Sequence, residues 1–470
     1  MNPSSSGPVA LASPVGRAVL VAATLGSGMT VLDGTVVNVA LKTIGEDLHA
    51  DLAALQWITN GYLLTLASFI LLGGSLGDRL GRRRVFTWGV IAFAAASIMC
   101  GLAWSPLVLV IARLAQGLGA ALLTPGSLSM IQGALIPADR ARAIGAWSGL
   151  GGIATAAGPF IGGLLVEHAS WRWIFLVNAP LALLTLAFAR RVSESRDPEA
   201  SGDFDVLGAV LTAVALGGIT YALIDWGSWP AVSAGVLGII AGAAFLVVEA
   251  RRTHPMLPLD LFRSRQFDAA NLMTFVVYAA LSAIMFFLIF QLQTVAGWTP
   301  LAAGIASLPI TICMLLLAAR GGALGQRIGP RLPMTVGPIL MAVGTLLLLQ
   351  VNASTTGLAR YAVDVLPGLT TFGLGMALMV APLTATVLAA APDRHAGVAS
   401  GVNNAVARAG SLLAVAALPV AVGLSGSDYA NPTAFNAGYR QVLVICAGLL
   451  AVGGAISWLF IRNPVANKSA

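Results

Sequence analysis

Apolar runs of helical length alternate with short polar loops along almost the whole chain. A membrane-crossing helix needs about 20 apolar residues. Fourteen segments of that order are legible, near 17–41, 53–77, 84–104, 107–127, 142–166, 172–190, 206–224, 231–250, 268–293, 301–320, 332–351, 361–390, 397–421 and 436–461. An even count puts both termini on one side. Basic residues then choose the side: of 26 Lys and Arg, 20 lie in one alternate set of loops and termini, Arg394 and Lys468 among them. Only Lys42, Arg172, Arg360 and Arg440 lie in the other set, while Arg113 and Arg408 fall within spans. That bias predicts cytoplasmic termini. The first segment is too long for a signal peptide and lacks a small-residue cleavage site, so it reads as a span.

Composition narrows the classes. Hydrophobic residues make up 57% of 470 positions and charged residues 10%, with mean hydropathy +0.87. A soluble domain carries roughly a quarter charged residues, so the chain reads as an all-α polytopic membrane protein. Its net charge of +7 follows from the loop bias and points to no nucleic-acid partner. Cys100, Cys313 and Cys446 sit in separate apolar segments, which offers neither a disulfide framework nor metal-ligand spacing. His49, His168, His254 and His395 fall in loops. No Walker lysine motif, metal cluster or cofactor signature is present, so neither an enzyme nor a metal or cofactor site is expected. Energy would come from an ion gradient, with protons the default because no dense carboxylate site suggests sodium.

One stretch occurs twice. GSLGDRLGRR at Gly74 to Arg83 returns as GALGQRIGPR at Gly322 to Arg331, identical at six of ten positions. The first copy joins spans two and three, the second spans ten and eleven. Two further spans therefore look inserted between six-span halves, giving 1–192, a linker with two spans at 193–267, and 268–470. A duplicated helix bundle is the usual build of a secondary transporter, with its substrate site between the halves.

Other motifs fall in order on the expected spans. The first carries LDGTVVNVAL at Leu32 to Leu41, followed by Lys42; the second opens with Trp57 and Tyr62. The fourth carries Arg113, Gln116, Gly117 and Gly119, and the fifth Gly158, Pro159, Gly162 and Gly163. With the duplicated loop, these stretches resemble the major facilitator superfamily and, within it, the 14-helix drug:proton antiporter branch. The resemblance covers essentially the whole chain. Lys42 departs from it, standing where the family commonly has proline. It implies a multi-pass exporter in the inner (cytoplasmic) membrane, monomeric among its lipids, exchanging protons for a small drug-like molecule. The fifth-span motif is the one that the family associates with antiport.

Asp33 is the sharpest candidate. A carboxylate within a span costs about 2.5–3.5 kcal/mol on insertion scales, so it faces an aqueous cavity or a partner. Asp33 and Arg113 each lie about eight residues inside the outer end of their spans, at a common depth of about 12 Å. They can meet, either as a proton-coupling pair or as a permanent brace. Arg408 lies deep in span thirteen with no acid at an obvious matching depth, open to a packing or a substrate-facing role.

In the duplicated loop, Gly74, Gly77 and Gly81 allow close approach and a tight turn. Asp78 is placed to accept hydrogen bonds at a neighbouring helix N-terminus. Arg79, Arg82, Arg83 and Arg84 would pair with acids or lipid phosphates, making the loop a conformational latch; plain topogenic charge is the alternative. Gly151, Thr155, Gly158 and Gly162 form a small-residue ridge that Pro159 can bend, for sliding or for static packing.

A substrate cavity would draw on Asn38, Gln56, Trp57, Asn60, Gln116, Phe286, Phe290, Gln291 and Arg408. Apolar, aromatic walls with few hydrogen-bonding groups suit amphiphilic, neutral or weakly charged molecules. A lipid-facing aromatic surface would show the same spacing. Export of an endogenous lipid-like or secondary metabolite fits equally, and a non-transporting receptor or scaffold fits less well.

Overall fold

The computed structural model describes residues 8–196, 204–252, 255–391 and 396–463. His254, Arg394, His395 and Lys468 lie outside the described residues. Among the described residues seventeen α-helices follow one another. They are α1 (Pro14–Leu48), α2 (Leu52–Leu80), α3 (Arg82–Gly101), α4 (Pro106–Ala134), α5 (Pro137–His168), α6 (Trp173–Leu176), α7 (Asn178–Ala189), α8 (Val206–Ile224) and α9 (Trp229–Arg251). Then come α10 (Arg265–Phe290), α11 (Pro300–Ala306), α12 (Leu308–Ile328), α13 (Arg331–Leu347), α14 (Gly357–Arg360), α15 (Leu366–Ala389), α16 (Ala396–Ala421) and α17 (Pro432–Phe460). Among the described residues the one β-contact is an isolated bridge between Val9 and Leu135.

Among the described residues twelve helical stretches are long and apolar enough to cross a membrane. The 32-residue α5 is not among them, and Trp173–Ala189 is a shorter apolar helix. Their outward faces remain apolar: α9 exposes Val236, Leu237, Ile239, Ile240, Leu246 and Val247. Such a surface is stable against lipid and not against water.

Local chemistry explains the ends. Ser13, Ser105 and Asn431 each cap a helix whose first turn carries a proline. The side-chain oxygen takes a free amide, and proline has no amide to leave unpaired. Two expected boundaries shift. With lysine in place of proline at position 42, α1 runs on to Leu48, and Lys42 pairs with Glu46 one turn later at 2.8 Å. The segment expected to run unbroken over 172–190 breaks at Val177. Pro180 cannot donate to the carbonyl four residues earlier, and its ring crowds that carbonyl.

The chain forms two compact units, Met1–Leu257 with Thr299–Ile305 and Ser425–Ser427, and Pro258–Trp298 with Ala306–Leu424 and Asp428–Ala470. In the first, α2 and α3 flank α4, while α1 packs on α5 and α7. In the second, α12 and α13 flank α15, while α10 packs on α16 and α17. Neighbour relations thus repeat from unit to unit. The α8–α9 hairpin lies in the first unit, with α8 against α2.

Candidate functional site

Asp33 and Arg113 are brought together in the first unit by the close packing of α1, α2 and α4. Gly117 allows it: a Cβ there would collide with the Thr65 hydroxyl and the Tyr62 carbonyl of α2. Arg113 Nη1 donates to Asp33 Oδ2 at 2.5 Å and to Gln116 Oε1 at 2.6 Å, while its Nε donates to the Ile58 carbonyl at 3.0 Å. Gln116 Nε2 donates to Asp33 Oδ1 at 2.7 Å and to Ser97 Oγ at 3.1 Å. Asn178 Nδ2 reaches Ser97 Oγ at 3.0 Å and Asp33 Oδ1 at 3.5 Å. The guanidinium also lies over the Tyr62 ring, 4.4 Å from its centre, and 5.7 Å from that of Phe175.

Both charges are sequestered, at 0% exposure for Asp33 and 1% for Arg113. Two charges taken out of water cost several kcal/mol each, and their attraction offsets that only when further hydrogen bonds satisfy the remaining atoms. Gln116, Ser97, Asn178 and the Ile58 carbonyl supply those bonds. Asn178 stands at the first position of α7, beside the break at Val177. Neither Ser97 nor Asn178 is signalled in the sequence, where each is one neutral polar residue in an apolar run.

The other expected cavity residues divide. Gln116, expected in the substrate cavity, instead belongs to this buried network. Asn60 is fully buried, and neither its Oδ1 nor its Nδ2 has a hydrogen-bond partner. Gln56, one turn away, is buried, and Asn38 is half-buried. Trp57 was expected to line the cavity too, but its ring meets Tyr221 of α8, with centroids 6.4 Å apart. Phe286 and Phe290, expected at cavity or lipid, are instead core residues of the second unit. Phe290 packs with Phe286, Phe435 and Tyr429, because the three helical segments there turn aromatic faces inward. Gln291 is buried as well, donating to Asn436 Oδ1 at 2.6 Å and to the Val351 carbonyl at 3.2 Å.

Loop geometry corrects two expectations. Asp78 does not cap a neighbouring helix; it pairs with Arg82 one turn on, at 2.9 Å. The cap of α3 is Glu194, whose carboxylate accepts from the Arg83 and Arg84 amides at 3.0 and 3.2 Å. Gly81, at φ +118°, makes the turn, and any side chain there would strike Glu194. The second copy repeats this with a neutral residue. Gly329 has φ +85°, and Asn463 Oδ1 accepts from the Arg331 amide at 3.1 Å. Close helix approach falls at Gly73, where a Cβ would strike the Ala121 carbonyl; at Gly74 and Gly77 a Cβ would make only ordinary contacts. Arg79 lies over the Phe204 ring, 4.8 Å from its centre.

On α5, Gly158 and Gly162 meet α1 at Thr35 and Val36, two and three residues beyond Asp33. Gly163 and Pro159 meet Leu301 and Gly304, which belong to the same unit. Gly151 is not part of this ridge, since a side chain there would meet nothing within 4 Å. The side chain of Thr155 lies outside the described residues.

Apolar helices in two like-built units, one enclosing an ion pair at membrane depth, define a polytopic membrane protein of transporter fold. The chain belongs to the Major Facilitator Superfamily, whose family model matches residues 23–415. It is 36% identical over 412 residues to the tetracenomycin C resistance and export protein of Streptomyces glaucescens, covering 85% of this chain and 75% of that one. It is 36% identical over 405 residues to the multidrug resistance protein Stp of Mycobacterium tuberculosis, with 85% and 74% covered. The methylenomycin A resistance protein of Bacillus subtilis is 33% identical over 455 residues, with 96% and 95% covered. Among solved structures, an auto-inhibited POT family peptide transporter superposes with TM-score 0.68 at 18% identity, covering 97% of this chain and 99% of that one. The inward-open xylose transporter XylE from E. coli gives 0.66 at 14% identity, with 96% and 97% covered. These two likenesses are of fold.

Proposed function

We propose that this chain is a proton-coupled exporter of hydrophobic or amphiphilic drug-like molecules, acting as a monomer in the cytoplasmic membrane. The observation that carries the reading is the Asp33–Arg113 pair, a buried carboxylate bonded by a guanidinium and by the side-chain amides of Gln116 and Asn178. A proton arriving on Asp33 removes its charge and loosens its hold on Arg113. Gly158 and Gly162 place the smooth side of α5 against α1 next to that carboxylate, where a change at Asp33 is transmitted as sliding. The loop at Gly74, Asp78, Arg79, Gly81 and Arg82 acts as the latch.

Relatives named for resistance to chemically different antibiotics support the export of amphiphiles. In this reading the twelve long apolar helices, α5 and the α6–α7 pair make fourteen spans in a six, two, six order. Both termini then lie in the cytoplasm. Substrate-facing groups include Asn60, whose amide has no protein partner.

The test is transport in everted vesicles with an amphiphile panel. An inside-acid gradient should drive uptake by the wild type, and Asp33→Asn should abolish it at normal insertion. Undiminished gradient-driven uptake by Asp33→Asn would remove the coupling scheme.

A further inference from the structure

Arg408 is the second guanidinium at membrane depth, and its situation is the reverse of that of Arg113. Its Nε is buried without a hydrogen-bond partner, and no ion pair or hydrogen bond satisfies its side chain among the described residues. The surrounding polar groups are taken. Asn403 Nδ2 is spent on Asn271 at 3.1 Å and Thr274 at 2.8 Å, and Ser411 on Ser282 at 2.7 Å. These bonds zip α16 to α10, and Gly410 closes the seam against the Phe275 carbonyl. Asn404, one turn before Arg408 on the flank of that seam, also makes no hydrogen bond among the described residues.

Among the described residues no acid neutralises this charge. Tyr278 of α10 faces α16 at this level, its backbone carbonyl accepting from Ser411 Oγ at 3.4 Å. Asp268 is ten residues earlier on α10, about 15 Å along the axis. Asp364 accepts from Thr355 Oγ1 at 2.9 Å. Nor does a lipid phosphate offer itself, since Arg408 stands at the middle of Ala396–Ala421, about 18 Å from either end. An unpaired charge at such a depth carries a standing cost, and intramembrane charges of this kind mark ligand sites.

We propose that Arg408, with Asn404, receives an anionic or acceptor-rich group of the exported molecule, such as a phenolate, carboxylate, sulfonate or quinone carbonyl. The proposal rests on the export reading and sharpens it from amphiphiles in general to those with an acidic or acceptor-bearing end.

Binding without a gradient tests it. Protein in phosphatidylcholine nanodiscs is titrated with 8-anilinonaphthalene-1-sulfonate and with N-phenyl-1-naphthylamine, the same skeleton without the sulfonate. The wild type should hold the sulfonate more tightly. Arg408→Gln should weaken the sulfonate about tenfold or more, the worth of a charge-assisted hydrogen bond, and leave the neutral probe within about twofold. Arg408→Lys should recover part of the loss, which separates charge from packing. Equal wild-type affinity for both probes, or equal loss of both in Arg408→Gln, overturns the proposal. Because this titration needs no gradient, whereas the vesicle assay of Asp33→Asn does, a failure of proton coupling and a failure of this docking point register separately.

Discussion

Gln116 touches both members of the buried pair and also Ser97, so the removal of one neutral side chain unties three polar groups at once. Gln116→Leu should destabilise the protein by about 1–3 kcal/mol, the cost of leaving buried groups unsatisfied. It should also suppress export. A melting temperature in detergent equal to that of the wild type would show that the network does not bear on stability. Asp33 and Arg113 were legible in the sequence because charges within apolar runs are rare and costly. The groups that make the pair tolerable were not. A neutral Asn or Ser in an apolar run has no sign of its own, and Asn178 reaches Asp33 from 145 positions away. Phe286 and Phe290 show the opposite limit, since aromatic spacing reads alike for cavity, lipid and core.

At the scale of elements, helix starts are marked in the sequence where a cap and a proline stand together, and least marked at the turns of the duplicated loop. Glu194 lies in a polar run and caps α3 from more than a hundred residues away. Glu194→Ala should cost about 1 kcal/mol, as loss of a helix cap does, and should expose the backbone amides of Arg83 and Arg84 to faster hydrogen exchange. Protection unchanged from the wild type would rule out the capping role.

A second cap carries a pH dependence. Asp205 caps α8 through the Gly208 amide at 2.8 Å and pairs with Arg252 at 3.0 Å. Burial alone would raise its carboxyl, but the neighbouring Glu249 carboxyl, the Gly208 amide and Arg252 outweigh burial and hold it below the usual range. A depressed folded-state carboxyl stabilises above the unfolded value of about 4 and loses that contribution as pH falls through the folded value. Asp205→Asn should therefore melt below the wild type at pH 7, with the gap closing as the medium is acidified below about pH 4. A gap that persists in acid would assign the effect to packing.

For the whole molecule, the duplicated loop announced two related units, and each unit shows the same neighbour pattern. The two copies are electrically unequal: Asp78 pairs with Arg82 in one, Gln326 replaces the acid in the other, and the cap changes from Glu194 to Asn463. The fourteen-span order is testable by labelling, because Cys100, Cys313 and Cys446 are buried and give little background. Trp226→Cys, at a site 71% exposed, should react with an impermeant maleimide from outside the cell, and Arg190→Cys only from the cytoplasm. Reaction of both from one side would eliminate that order. By itself the sequence determined that the chain is a helical membrane protein, that it is built on a repeat, and that three charges lie at membrane depth. Hydropathy and motif are local properties, and insertion in lipid acts on each segment in turn. Only the tertiary structure decided that Arg113 is answered by Asp33 while Arg408 is answered by nothing in the described protein. Partnership between side chains depends on which helices meet and in what register, and residues far apart in the chain set that together.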